Sequence, residues 1–254
     1  MTSNPVKAQL FGLIAMDYSR LRPSPPPTAL DWLVGTDCET VVELGAGTGL
    51  ATRQLAKIVS EVCAVEPDER MLDAFVVDSS NVTLRQGCAE DIPVADGRVD
   101  GVYAFDAWHW VDLDRAVLEV ARVLRPDGQL GVAWTMVDTG VPWVAEFWSV
   151  IEGAHQGEHR PGQFTLPAGA PFTKPAFHVV PWIRPMQPED LVSLLCTYSP
   201  VLAMEPAERA DYLQRQRAFL ELHSPLQANG LIDVPYRTVC WRTRRRNGVA
   251  PQNP

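Results

Sequence analysis

The stretch Val41-Val42-Glu43-Leu44-Gly45-Ala46-Gly47-Thr48-Gly49 joins an apolar, β-branched run to three alternating glycines. Residues 40–44 are typical of a buried strand, and a helical pattern over about residues 50–60 follows the glycines directly. Glycine is needed where a backbone turns tightly and must approach a ligand without a Cβ in the way. The stretch therefore predicts a strand, a ligand-binding turn and a helix.

Short apolar runs and helical patterns alternate from residue 40 to residue 135, which indicates repeated βαβ units. Further strands are predicted over residues 62–65, 82–85, 101–105, 130–134, 177–183 and 236–241. Helices are predicted over about residues 70–75, 113–124, 143–151, 188–198 and 206–222, with Pro126-Asp127-Gly128 as the turn before the fifth strand. We expect an α/β fold: a doubly wound, mostly parallel seven-stranded sheet with helices on both faces and an inserted helical cap.

An acidic residue, Glu66, ends the second predicted strand. A carboxylate at this place can accept hydrogen bonds from both ribose hydroxyls of an adenosine. The dinucleotide fingerprint G-x-G-x-x-G would need a third glycine where this chain has Leu50. The turn is therefore less suited to a pyrophosphate than to an adenosine ligand with an uncharged linker. This disfavours a nicotinamide-dependent dehydrogenase.

Further motifs accompany the glycine turn and Glu66, namely Val65-Glu66-Pro67, Gly87-Cys88-Ala89-Glu90-Asp91, Trp108-His109-Trp110 and Leu124-Arg125-Pro126-Asp127-Gly128. With them the chain resembles the class I S-adenosylmethionine-dependent methyltransferases over most of residues 9–242. The resemblance implies a methyltransferase that transfers the sulfonium methyl in line to an O, N or C atom of a small molecule, leaving S-adenosylhomocysteine.

The resemblance also implies roles for cofactor-binding residues. The methionine part of the cofactor is expected on Glu43 and on the turn residues Gly45, Ala46, Gly47, Thr48 and Gly49. The ribose is expected on Glu66, which Pro67 follows, and the methionine amino group on the carbonyl of Phe105. Met71 is expected on the adenine face, with an ordinary helix residue as the alternative, and Ala89 and Glu90 at the adenine edge.

A narrower resemblance, to trans-aconitate methyltransferase-like proteins, rests on the His-Trp pair, on Arg20, Arg22 and Pro23, and on Tyr236-Arg237-Thr238 with Trp241. The predicted substrate-binding residues are Tyr18, Arg22, Asp106, Trp108, Trp110 and Trp143. The chain departs from that branch in lacking a Tyr after Pro23 and in having Asp106 and Trp108, which puts the substrate in doubt.

His109 is the candidate catalytic residue, because it follows the fourth strand on the edge where open sheets bind ligands. An imidazole suits the removal of a proton from the methyl acceptor. The competing interpretation of His109 is orientation or packing between two tryptophans.

The motifs divide the chain into four parts. Residues 1–36 are expected to form N-terminal helices over the cofactor, 37–137 the S-adenosylmethionine-binding core, 138–242 the substrate cap with the last strands, and 243–254 a basic and polar tail. The run of arginines at this boundary, Arg242, Arg244, Arg245 and Arg246, is expected to be solvated rather than to contact RNA.

Composition excludes several other classes. The net charge of −9 opposes binding to nucleic acid or anionic lipid, and no apolar stretch is long enough to span a membrane. Five widely spaced cysteines read as reduced, and with no apparent leader we expect a cytoplasmic protein. The residues from His155 to His159 match a metal signature, but nearby glycines disfavour the helix it needs, so no metal site is predicted. A non-catalytic cofactor-binding or regulatory protein stays open as an alternative.

Overall fold

A computed structural model describes residues 15–75, 79–154, 162–223 and 226–247 of the chain. Its strands form one seven-stranded sheet in the order β3-β2-β1-β4-β5-β7-β6. The strands are β1 (Thr40–Leu44), β2 (Glu61–Glu66), β3 (Val82–Gln86), β4 (Val99–Phe105), β5 (Leu124–Val137), β6 (Ala176–Met186) and β7 (Ile232–Arg244). The first five pair in parallel, and β7 runs antiparallel between β5 and β6. The predicted doubly wound, mostly parallel sheet is confirmed.

The described helices flank this sheet and fill its connections. They are α1 (Ala15–Leu21), α2 (Pro27–Val34), α3 (Thr52–Leu55), α4 (Glu69–Asp73), α5 (Leu113–Val123), α6 (Pro142–Phe147), α7 (Ser149–Ala154), α8 (Pro188–Leu195), α9 (Ser199–Leu202) and α10 (Pro206–His223). None of the helices in these ranges is long and apolar enough to cross a membrane.

The central strands are buried on both faces. Successive side chains point to opposite sides of a strand, so Val42 and Leu44 of β1 join one core cluster, whereas Val41 joins another. The first cluster includes the buried face of α5, and the second includes α2. Helices therefore cover both faces, and the carboxyl ends of the parallel strands are left as the ligand-binding edge.

Several predicted elements differ from the structure. The helix expected over residues 50–60 is confined to α3, because the Asn81 amide donates to the carbonyls of Ala56 and Val59 and holds the chain in turns. The turn around Asp127, whose φ is 62°, is a bulge at the start of β5, with Val99 opposite Leu124 and Gly101 opposite Gln129. The helix expected over residues 143–151 divides into α6 and α7, and the helix expected over residues 188–198 ends at Leu195, as α8.

The helices after β5 share a core of their own. Phe147 and Trp148 pack with Leu191, Tyr212 and Tyr236 in one buried cluster. This cluster lies between the cap helices and the ends of β5, β6 and β7, so the cap is attached to the sheet by apolar burial.

The C-terminal arginines agree only in part with the expected solvated tail. Arg242 and Arg244 lie in β7, and Arg242 donates to the Trp32 carbonyl at 2.5 Å. Arg245 and Arg246 donate to the carbonyls of Leu124 and Ala170. The expectation is wrong for Arg242 and Arg245, which are half-buried, whereas Arg244 and Arg246 are exposed as expected. Backbone carbonyls accept hydrogen bonds from the guanidinium groups of all four. The predicted helix before residue 15, the His155–His159 segment and residues 248–254 lie outside the described ranges.

Candidate functional site

A cavity of about 910 Å³ opens at the carboxyl ends of β1, β2, β4 and β5. A smaller cavity of about 40 Å³ adjoins it at the glycine turn. Between them they are lined by most of the predicted site residues: Tyr18, Arg22, Glu43, Gly45, Ala46, Gly47, Thr48, Glu66, Pro67, Met71, Ala89, Glu90, Phe105, Asp106, His109 and Trp110. The structure thus brings together side chains from the whole first half of the chain.

The glycine turn follows β1 in left-handed backbone conformations. Gly49 has a φ of +83°, and a Cβ added there would lie 2.0 Å from the ring of Phe75. The turn is anchored to the next strand, because the backbone N–H groups of Gly45 and Ala46 donate to the Val65 carbonyl at 2.9 and 3.1 Å. Gly49 does not line either cavity, and its backbone packs closely against the Phe75 ring.

Glu43 is a buried carboxyl group beside the glycine turn. Its side chain is 2% exposed, and its Oε2 has no hydrogen-bond partner among the described residues. Burial raises the pKa of Glu43 to about 8. The Thr48 hydroxyl is likewise buried and without a partner in the described structure, whereas the Thr52 hydroxyl faces Glu43 and lowers the pKa of its carboxyl group. A cationic or donor group at this place would satisfy atoms that the protein itself leaves unpaired.

Glu66 connects the ends of β1 and β2. Its Oε2 accepts the backbone N–H of Gly47 at 2.8 Å, and its Oε1 accepts the backbone N–H of Asp68 at 2.9 Å. Burial raises the pKa of this carboxyl group above its ordinary value, although the two N–H donors oppose the shift. Each carboxylate oxygen has a second acceptor position, so Glu66 keeps the capacity to bind two hydroxyls.

The residues predicted at the adenine lie along one wall. Met71, on α4, and Ala89 are both buried and line the cavity. The Glu90 carboxylate accepts the backbone N–H of Asp112 at 2.6 Å, and Asp112 is the residue that caps α5. Glu90 therefore also holds the entry to α5.

Asp106 follows β4 in a strained conformation. Its φ is 54°, a left-handed value that is uncommon for a residue with a side chain. The strain is held by two hydrogen bonds: its N–H donates to the Ala133 carbonyl at 2.8 Å, and its Oδ1 accepts the Thr135 N–H at 2.9 Å. Burial raises the pKa of Asp106 to about 6, while the Arg22 guanidinium lowers it.

His109 lies in a short 3₁₀ helix, Trp108–Trp110, directly after that turn. The indole N–H of Trp134, on β5, donates to His109 Nδ1 at 3.0 Å. The imidazole also packs against the Trp110 ring, with 4.7 Å between ring centres. Both the orientation and the cavity position of the imidazole are therefore set by tryptophans.

One wall of the larger cavity, next to α1, is formed by Arg22 and two tyrosine rings. Arg22 donates from Nε to the Thr197 hydroxyl at 2.9 Å and from Nη2 to the Thr197 carbonyl at 3.0 Å. Its guanidinium lies 3.7 Å from the Tyr198 ring centre and 5.2 Å from that of Tyr18. Residues before β1 are thus joined to the cap at this wall.

Two predicted substrate residues lie elsewhere. Trp108 is 3% exposed and packs against Phe164, 6.1 Å away, because the 3₁₀ turn directs its ring into the sheet core. Trp143 packs on the cap cluster. Neither lines the cavities, so the prediction that they contact substrate is not supported by their positions.

Sequence reasoning missed Trp134 and Tyr198, which line the larger cavity together with the cap residue Trp148. The position of Trp134 at the end of a predicted strand is a signal that could have identified it. Trp148 and Tyr198 stand in the cap, where no motif marks them. The Trp148 indole Nε1 is buried and has no hydrogen-bond partner among the described residues.

Comparison with known proteins agrees with this architecture. A family model described as a methyltransferase domain matches residues 42–132. An uncharacterised methyltransferase of Mycobacterium tuberculosis is 39% identical over 232 residues, which are 91% of this chain and 94% of the relative. A methyltransferase-like protein of Schizosaccharomyces pombe is 30% identical over 253 residues, covering 94% of this chain and 97% of that protein.

Solved structures share the fold. A protein of Anaeromyxobacter dehalogenans that is named as a type II methyltransferase superposes with a TM-score of 0.63 at 25% identity, covering 88% of this chain and 97% of its own. A Bacillus subtilis protein at 21% identity superposes with a TM-score of 0.53, covering 87% of this chain and 99% of its own, and supports the fold alone. These relatives do not single out the trans-aconitate branch, which stays a prediction. The motifs, the sheet order and the relatives agree that the chain belongs to the class I S-adenosylmethionine-dependent methyltransferases.

Proposed function

We propose that the protein binds S-adenosylmethionine across the glycine turn and transfers its methyl group to a small organic molecule held under the cap. The observation that carries the proposal is the buried carboxyl group of Glu43, whose Oε2 is unpaired among the described residues at the glycine turn. Desolvation of a carboxylate without a compensating charge is unfavourable. The ammonium group of a methionine moiety would supply that charge.

The remaining cofactor residues fit the other parts of the same molecule. Glu66 can accept the two ribose hydroxyls through its remaining lone pairs. Met71 and Ala89 offer an apolar wall to the adenine, and the Glu90 carboxylate can accept from its exocyclic amine. Phe105 lines both cavities, so its position suits contact with the methionine end.

The substrate part of the cavity has aromatic walls. Trp110, Trp134, Trp148, Ile151 and Tyr198 line it, and three of these belong to the cap. Such walls bury an apolar or aromatic body, while Arg22, Asp106 and His109 provide polar contacts. This composition, together with the net charge of −9, supports a small organic acceptor over a nucleic acid.

Positioning is the main contribution expected of the protein. When bound, S-adenosylmethionine supplies an electrophilic methyl group on a sulfonium sulfur. The chain's part is to hold an acceptor atom in line with that methyl group, which can lower a barrier by roughly 7 to 11 kcal/mol. The cap, attached through the cluster around Phe147 and Trp148, excludes water from that line.

The test is methyl transfer itself. Purified protein is incubated with S-adenosylmethionine carrying a labelled methyl group and with pools of small alcohols, phenols, amines and carboxylic acids. We expect label in an organic product together with stoichiometric S-adenosylhomocysteine, and loss of both in Glu66→Ala. Cofactor binding without transfer to any pool would instead favour the non-catalytic alternative.

A further inference from the structure

The contact between Trp134 and His109 determines where the imidazole carries its proton. An indole N–H can only donate, so the atom that it meets at 3.0 Å, His109 Nδ1, must present a lone pair. In a neutral imidazole the other nitrogen then bears the hydrogen. The protonated nitrogen of His109 is therefore Nε2.

This contact is held by the core of the sheet. Trp134 is 1% exposed and stands in β5, with β4 on one side and β7 on the other. Its ring cannot move far, because a well-packed interior resists displacement. Trp134 thus fixes both the orientation of the imidazole and the tautomer.

We infer that His109 acts as a hydrogen-bond donor toward the methyl acceptor, with Trp134 as its positioning residue, and that it does not act as the general base. The inference rests on the proposed function for the presence of an acceptor in the cavity. His109 lines that cavity, as Trp134 and Asp106 do. The molecule that His109 contacts must offer it a lone pair, as the oxygen of a hydroxyl, carbonyl or carboxylate does.

A base role would require His109 to give up this arrangement. Nε2 already bears a hydrogen, so only Nδ1 has a lone pair that could take a proton. Protonation at Nδ1 would break the bond to Trp134 and leave a buried indole N–H unpaired, which is strongly unfavourable. The geometry therefore opposes proton transfer to this ring.

Asp106 is the better placed proton acceptor. Its Oδ1 accepts the Thr135 N–H, and a carboxylate has lone pairs to spare beyond that bond. When the methyl-accepting atom carries a proton, the lone pair of that atom forms the bond to the methyl carbon. The carbon–sulfur bond breaks, and its electron pair passes to sulfur. The proton of the accepting atom passes to the Asp106 carboxylate. His109 keeps its own hydrogen throughout.

The tautomer can be read directly by nitrogen NMR. Protein with ¹⁵N-labelled histidine is examined near pH 7.5 with two-bond ¹H–¹⁵N correlation, and the His109 signals are assigned as those absent from His109→Gln. We expect a pyridine-type Nδ1 and a pyrrole-type Nε2, with and without S-adenosylhomocysteine. A protonated Nδ1, in either the neutral or the cationic ring, would overturn the inference.

The role of Trp134 is tested by Trp134→Phe, which keeps a six-membered aromatic ring and removes the N–H donor together with the five-membered ring that carries it. We expect the His109 pattern to become a mixture of tautomers in a variant whose near-ultraviolet circular dichroism shows that it is folded. An unchanged pattern would show that something other than Trp134 fixes the ring. Should this variant not fold, the wild-type spectrum still decides whether His109 is a donor, whatever becomes of cofactor binding.

Discussion

The Glu66 carboxylate accepts the backbone N–H of Gly47 at 2.8 Å, so the acid at the end of β2 holds the glycine turn at the end of β1. The same carboxylate receives the Asp68 N–H at 2.9 Å. Two strand ends and the start of α4 are thereby fixed to one side chain. The protein's own hydrogen bonds therefore orient the carboxylate of the proposed ribose site, and a side chain held in this way lowers the entropic cost of binding.

Replacement of this side chain should weaken cofactor binding specifically. In Glu66→Gln one oxygen becomes an amide NH₂, which cannot accept a hydrogen bond, and the negative charge is lost. We expect about a 10- to 100-fold increase in the Kd for S-adenosylhomocysteine, since a hydrogen bond to a charged group contributes about 1.5 to 3 kcal/mol. Glu61→Gln, at the exposed start of the same strand, is the matched control and should bind as wild type.

Glu43 makes a prediction about stability and pH. Its folded pKa of about 8 lies above the ordinary value of 4.5, so the protonated carboxyl group is favoured by folding. The protonated Glu43 contributes fully to the free energy of unfolding below the ordinary pKa. This stabilisation is lost as the pH rises toward the folded pKa, at up to about 1.4 kcal/mol per pH unit. Glu43→Gln, which cannot ionise, should therefore gain stability relative to wild type between about pH 5 and pH 8.5.

Urea unfolding at several pH values measures this difference. Parallel pH profiles for wild type and Glu43→Gln would mean that Glu43 is not held in a desolvated site. Addition of S-adenosylhomocysteine should reduce the loss of wild-type stability at high pH, because the ammonium group of the ligand favours the ionised Glu43 carboxylate.

Gly49 should tolerate no side chain. An added Cβ would combine a left-handed φ of +83° with a 2.0 Å contact to Phe75. Gly230→Ala tests the effect of a positive φ alone, since Gly230 has a φ of +78° and nothing within 4 Å of its added Cβ. We expect Gly230→Ala to cost about 1 to 2 kcal/mol of unfolding free energy and Gly49→Ala clearly more.

A double-mutant cycle separates the two causes. Phe75→Ala should cost less in the Gly49→Ala background than alone, because the smaller residue removes the clash. Additive effects would show that Phe75 and Gly49 are not in contact.

The donor role of His109 makes a kinetic prediction on any acceptor found by the transfer assay. A Gln amide can place an N–H near the former Nε2, whereas an Asn amide reaches only the Nδ1 position. We expect His109→Gln to keep kcat within about 10-fold, since a neutral hydrogen bond contributes about 1 kcal/mol, and His109→Asn to lose more. Equal losses of about 100-fold or more in both variants would instead indicate a general base.

Local patterns predicted the half of the molecule that binds the cofactor. The run of β-branched residues gave β1 its observed bounds, Thr40–Leu44, and the spacing from the glycines to Glu66 placed the acid beside Gly47. These features are readable because they depend on neighbours in the chain and on the known handedness of βαβ connections.

The remainder depends on contacts between distant residues. The rotation of Trp108 into the core follows from a 3₁₀ turn, and the pairing of Trp134 with His109 joins positions that are 25 residues apart. The cap site combines Arg22 with Tyr198 across the fold. No periodicity in the sequence reports such pairs, so the substrate wall could not be predicted as the cofactor wall was.

Calorimetric titration of the purified protein with S-adenosylmethionine and S-adenosylhomocysteine shows whether the cavity binds this cofactor. We expect both ligands to bind at one site per chain, Glu66→Gln to weaken both, and NADH not to bind. Absence of binding to either sulfur compound, from a protein that is folded, would contradict the proposed cofactor binding.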